Sequence, residues 1–116
     1  MSLDFDLYRT GKYDDNDETF SQCVFSYNVT HNLGEMARAC GVYKAMWRPI
    51  ENGFEKAEDV IGELEKGLLE LKSKPAYYKK FNPANGWGSY DGLCECIGKI
   101  IEACKENPKA KIDTCK

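Results

Sequence analysis

The chain carries one histidine, in the stretch Tyr27-Asn28-Val29-Thr30-His31-Asn32-Leu33-Gly34-Glu35-Met36, where a strand-like run gives way to a helical one. An imidazole offers two distinct nitrogens and suits proton transfer or a hydrogen bond to a ligand. Its neighbours have a structural reason to be there. Asn32 with Glu35 three residues on has the spacing of a capping box, and Thr30 is an alternative N-cap. His31 caps nothing itself. It either serves a ligand or bonds a backbone carbonyl or carboxylate at the junction, and residue identity alone favours the second.

Two further stretches carry chemistry. Met46-Trp47-Arg48-Pro49 sets a flat ring beside a guanidinium, which can stack on an aromatic group or grip a phosphate or carboxylate; the plain alternative is a core Trp and an Arg paired with an acid. Asn85-Gly86-Trp87-Gly88-Ser89-Tyr90 flanks a tryptophan with glycines and leads into a helix start, whose free N–H groups favour an anion. No G-K-[ST] follows, so it is not a phosphate-binding P-loop. It reads somewhat better as a Trp lid over the core, anchored by an Asn side chain. Lys72, Lys74, Lys79 and Lys80 interleave with Tyr77, Tyr78 and Phe81, a pattern that can bind single strands by stacking and charge but reads better as a solvated helix face. No serine or cysteine triad pattern is present.

These groups need elements to hold them. Leu3 to Tyr8 alternates apolar and polar residues, the period of a half-buried strand. Phe20 to Val29 is a second strand, with Cys23, Phe25, Tyr27 and Val29 expected on one face. Residues 10–19 between them read as an exposed acidic hairpin loop. Leu33, Met36, Ala37 and Cys40 then recur at helical spacing, with Gly41 placed for a left-handed cap. Tyr43, Met46 and Trp47 add a helical turn, and Pro49 forces Arg48 out of helix. A long helix is expected from about Glu55 to Lys72, and Pro75 suits the first position of a short aromatic one. The last helix runs from about Ser89 to Lys105, with Tyr90, Leu93, Cys94, Ile97, Ile101 and Cys104 as its apolar stripe. Asn107-Pro108 stops it, and Lys109 to Cys115 alternates weakly enough to be a third strand beside the hairpin. The expected fold class is α+β: one domain over residues 1–116, with a small antiparallel sheet, N-terminal hairpin plus C-terminal strand, packed against three to four helices. Residues 1–3 read in part as an added leader, which discounts Leu3.

The chain has 116 residues, 42% hydrophobic and 30% charged, with a net charge of −3. That is one globular domain. A duplex-DNA binder or a membrane-surface protein would show a basic excess, so neither is expected. No apolar run is long enough for a bilayer. The N-terminus has no basic segment followed by an apolar core, so no secretion signal is expected, and Asn28-Val29-Thr30 matches the glycosylation sequon by accident. The six cysteines show no C-x-x-C, and Cys40, Cys94 and Cys104 fall on apolar helical positions. They read as reduced thiols in a cytoplasmic protein. Cys94, Cys96 and His31 do not match zinc-ligand spacing, so no metal and no cofactor is expected.

THNLGEMA, then MWRP about ten residues later, then NPANGWGSY before a last amphipathic helix, resembles a small family found in tailed phages and bacterial genomes, often as prophage cargo. The resemblance covers roughly residues 27–108; the acidic loop and the cysteine-rich end fall outside it. No activity is established for that family, so the resemblance implies a mobile-element setting and no mechanism.

The three motifs can meet in space. The expectation is one concave site lined by His31, Asn32, Trp47, Arg48, Asn85, Trp87 and Tyr90. It would belong to a non-enzymatic binding protein for a small anionic ligand or a host protein. The alternatives are a small enzyme with His31 as acid or base on an anionic substrate, for which His31→Ala would leave the fold stable, and a purely structural or interaction protein.

Overall fold

The computed structural model describes residues 2–12, 19–84, 86 and 88–115. Strand β1 (Ser2–Lys12) pairs antiparallel with β2 (Thr19–Thr30) on one side and with β3 (Lys111–Cys115) on the other, giving the order β2-β1-β3. The helices are α1 (Gly34–Cys40), α2 (Tyr43–Trp47), α3 (Ala57–Ser73), α4 (Pro75–Tyr78) and α5 (Tyr90–Glu106), with single 3-10 turns at His31–Leu33, Ile50–Asn52 and Lys79–Phe81. This is the α+β class expected from the pattern, and the C-terminal strand does join the hairpin.

Strict alternation decides which face of the sheet is buried. Leu3, Phe5 and Leu7 are fully buried, and their outward neighbours Asp4 and Asp6 take hydrogen bonds from Asn28 Nδ2 and Ser26 Oγ of β2. Ile112 of β3 and Val29 of β2 join the buried side. Helices α3 and α5 pack on each other, and α5 also meets β2. The core between the layers is built from Val60, Leu64 and Leu71 of α3 with Leu93, Ile97 and Ile100 of α5. Among the described residues no helix is long and apolar enough to cross a membrane.

Several local expectations are corrected. Leu3, discounted in the sequence reading, is a core residue. The hairpin extends further than its apolar pattern, to the pair Lys12 and Thr19, because backbone pairing continues past the last buried side chain. The acidic run over residues 13–18 lies outside the described residues. A bulge places Leu7 opposite Phe25 but Tyr8 opposite Cys23. The extra residue, Val24, turns Cys23 to the outward face, so it leaves the stripe of Phe25, Tyr27 and Val29 and is exposed. On α5, Cys94 is half-buried, while Cys96 joins Cys40 and Cys104 as a buried thiol. Burial pushes the Cys96 and Cys104 thiols up to about 12.

Other signals act where they stand. Gly41 takes φ 92° and caps α1, its N–H donating to the Ala37 carbonyl at 3.0 Å. Arg48, before Pro49, leaves the helix at φ −138°, ψ 51°. Pro75 opens α4. At the start of α3, the Asp59 carboxylate accepts from the Lys56 and Glu55 N–H groups at 3.0 and 3.1 Å. Those two bonds hold its carboxyl below the usual range.

Candidate functional site

Strand β2 buries Val29 and ends at Thr30, whose backbone is extended (φ −66°, ψ 138°). Thr30 Oγ1 accepts from the Asn32 N–H at 3.4 Å and from Asn32 Nδ2 at 3.2 Å. Thr30 is therefore the N-cap. Asn32 is its donor and forms no capping box with Glu35, because the turn that starts here is 3-10 and α1 begins only at Gly34. His31 is the first residue of that turn and is half-buried.

His31 is met from below by Trp47. The indole Nε1–H donates to His31 Nδ1 at 2.9 Å. Trp47 is 2% exposed, so it forms the floor of the site and does not line it as expected. An indole N–H can only donate. The bond therefore fixes Nδ1 as the acceptor and puts the imidazole proton on Nε2.

The same indole supports a second arm. Tyr43 lies four residues before Trp47 on α2 and stacks on it, with ring centroids 5.3 Å apart and planes 12° from parallel. Arg38 of α1 lies over the Tyr43 ring, its guanidinium carbon 4.0 Å from the ring centre. The left-handed turn at Gly41 folds α2 back so that these two meet. Hydrogen bonds from Arg48 and Arg38 hold the Tyr43 phenol below its ordinary range.

The opposite wall comes from the segment before α5. Gly88 has φ 101°, and a Cβ there would lie 2.9 Å from Thr30 Cγ2 and Leu33 Cγ. Only glycine lets this backbone close on the β2–α1 junction. Asn82 Oδ1 accepts from the Tyr90 N–H at 2.8 Å and ties the segment to the helix start. Ser89 caps α5, its Oγ accepting from the Gly92 N–H at 3.0 Å.

Between the walls is an open groove of about 430 Å³. His31, Asn32, Glu35 and Arg38 form one side, and Lys80, Phe81 and Asn82 the other. Two cationic side chains, Arg38 and Lys80, and one carboxylate, Glu35, line the groove together with the His31 ring. Among the described lining residues there is no hydroxyl or thiol to act as a nucleophile. Among the described residues no group of three or more His, Cys, Asp or Glu side chains could hold a metal ion.

The structure thus brings together His31 and Asn32, with Trp47 beneath them. It does not bring Arg48 or Tyr90 to the groove. Arg48 lies beyond Tyr43 and forms a forked pair with Glu51, Nη1 to Oε1 at 3.0 Å and to Oε2 at 3.2 Å. Tyr90 is in the core, its hydroxyl donating to the Leu71 carbonyl at 2.7 Å. Its place on the apolar stripe of α5 already pointed inward. Asn85 and Trp87 lie outside the described residues. Glu35, Arg38, Lys80 and Asn82 were not foreseen. The available signal was spacing: positions 31, 35 and 38 share one face of a helix, so an acid and a base stand directly after His31.

No protein-family model, curated protein or solved structure matches the chain.

Proposed function

We propose that the protein is a non-enzymatic binding protein for a small anionic ligand, held in the groove between the β2–α1 junction and residues 80–84. Arg38 and Lys80 supply the charge. The His31 Nε2–H supplies a directed donor, and Asn32 and Asn82 supply further polar contacts. The observation that carries this reading is the Trp47 N–H bond to His31 Nδ1. A general base needs a bare Nε2, which requires the proton on Nδ1, pointing at the indole N–H. Among the described residues no carboxylate is bonded to the ring, unlike the arrangement that supports an imidazolium during catalysis. The groove therefore suits donation to a resting anion better than acid–base turnover with His31, and a host-protein acid side chain is the other occupant of the same chemistry. The six free thiols, three of them buried, support a reducing, cytoplasmic setting. The motif resemblance adds a phage or prophage context to the proposal.

The test is native mass spectrometry of the protein as purified, followed by an amide-resolved NMR titration with inorganic phosphate. The expected shifts cluster at His31, Asn32, Arg38 and Lys80. Arg38→Ala and Lys80→Ala should each weaken binding by about twofold to fivefold, as loss of a solvent-exposed ion pair does. Absence of any clustered shift up to ~10 mM phosphate, beyond the weak end of specific affinity, would sink the reading.

A further inference from the structure

A second groove, of about 460 Å³, adjoins the first and is lined by Arg38, Gly41, Tyr43 and Lys44. Arg38 belongs to both grooves. Among the described residues that line the second there is no acid, and a phenol ring and a glycine backbone wall it, so its chemistry is that of an apolar shelf. The Tyr43 ring already has two partners, Trp47 stacked on it and the Arg38 guanidinium over it. The guanidinium is the end of this three-member stack. Its carbon lies 4.0 Å from the Tyr43 ring centre, and a guanidinium is itself a platform on which a planar group can stack. One of its N–H groups donates to the Tyr43 phenol, and the remaining donors of a guanidinium can grip an anion.

We propose that the ligand is an anion carried on a planar aromatic body, an aryl or heteroaryl phosphate, with the anion in the His31–Lys80 groove and the ring over Arg38 in the second groove. This rests on the anion reading of the first groove and narrows it. The two grooves share Arg38, and a bare inorganic ion would leave the second unused.

The experiment is an NMR titration of the whole protein with phenyl phosphate, inorganic phosphate and phenol as separate probes. Phenyl phosphate should bind about tenfold more tightly than inorganic phosphate, in line with one cation–π contact in a partly desolvated site. It should also move the Gly41, Tyr43 and Lys44 signals, which inorganic phosphate should leave in place. Arg38→Lys keeps the charge and removes the flat face. In that variant the ratio of the two affinities should fall toward one, whatever happens to inorganic phosphate itself. Equal affinities in the parent protein, or no shifts at Gly41, Tyr43 and Lys44, would overturn this inference and leave the anion site standing. Failure of both anions to bind would overturn the two together.

Discussion

Removing the His31 imidazole should cost stability, not only binding. The Trp47 N–H is buried, and His31 Nδ1 is its partner at 2.9 Å. A buried donor left without an acceptor costs about 1–3 kcal/mol. His31 is half-exposed, so truncation to alanine opens a path for one water to reach the indole and recover part of that cost. The expected penalty for His31→Ala is therefore in the lower half, about 1–2 kcal/mol. For a chain of this length that is a fall in Tm of roughly 4–8 °C. Urea unfolding followed by circular dichroism gives the free energy directly. His31→Gln, which keeps an acceptor, should recover some of the loss. The decisive control is the Trp47→Phe background, which has no donor to strand. There His31→Ala should cost about 1 kcal/mol less than in the parent protein, the coupling expected of a contacting pair. A parent-like stability for His31→Ala, or an equal loss in both backgrounds, would refute the reasoning that the bond fixes the ring.

Two other outcomes follow from the packing and the charges. Val42 Cγ1 occupies the space that a Cβ at Gly67 would need, whereas nothing lies within 4 Å of the equivalent position at Gly62. Gly67→Ala should destabilise by about 1–3 kcal/mol through overpacking, and Gly62→Ala on the same helix should stabilise by about 0.5–1 kcal/mol; paired urea melts check both signs. Burial, then the bond to Glu70 Oε1 at 2.9 Å, pushes the Tyr78 phenol up to about 12. An acid whose folded value is raised favours the folded state below the unfolded value and loses that advantage as pH rises through the folded one. Stability should therefore fall between about pH 10 and pH 12, and Tyr78→Phe should flatten that part of the curve in melts run across the range.

Much of the fold could be read from periodicity and punctuation. Alternation located both strands of the hairpin, and the spacing of Ala57, Val60, Leu64 and Leu71 located α3. Gly41, Pro49 and Pro75 act locally, through their own backbone limits, so their effects were visible one residue at a time. The bulge at Val24 was not visible. A bulge is a mismatch between two strands, and either strand alone reads as regular. The site was legible only in part for the same reason. His31 and Asn32 stood out by type, but what they meet is set by contacts distant in sequence. Trp47 bonds His31 from sixteen residues away, and Gly88 brings the segment carrying Lys80 and Asn82 onto Thr30 and Leu33. Arg38 looked like an ordinary surface residue of α1. Nothing in its own neighbourhood says that a tyrosine will slide beneath it. Arg48 misled in the opposite direction. Its irregular backbone looked functional, but Pro49 explains the backbone and Glu51 takes the charge.

The position of Trp47 has a consequence for how such a protein could diversify. The groups that would choose a ligand, Glu35, Arg38 and Lys80, are exposed side chains that contribute little to the core. The indole that orients two of the groove's arms is a core residue. Exchanging the exposed groups would change charge and shape at small thermodynamic risk, while the scaffold holding their backbone stayed fixed. Substitution of the indole would lose orientation and fold stability in one step. Descendants of such a chain are therefore free to explore new ligands along the rim, but they are constrained to keep the floor.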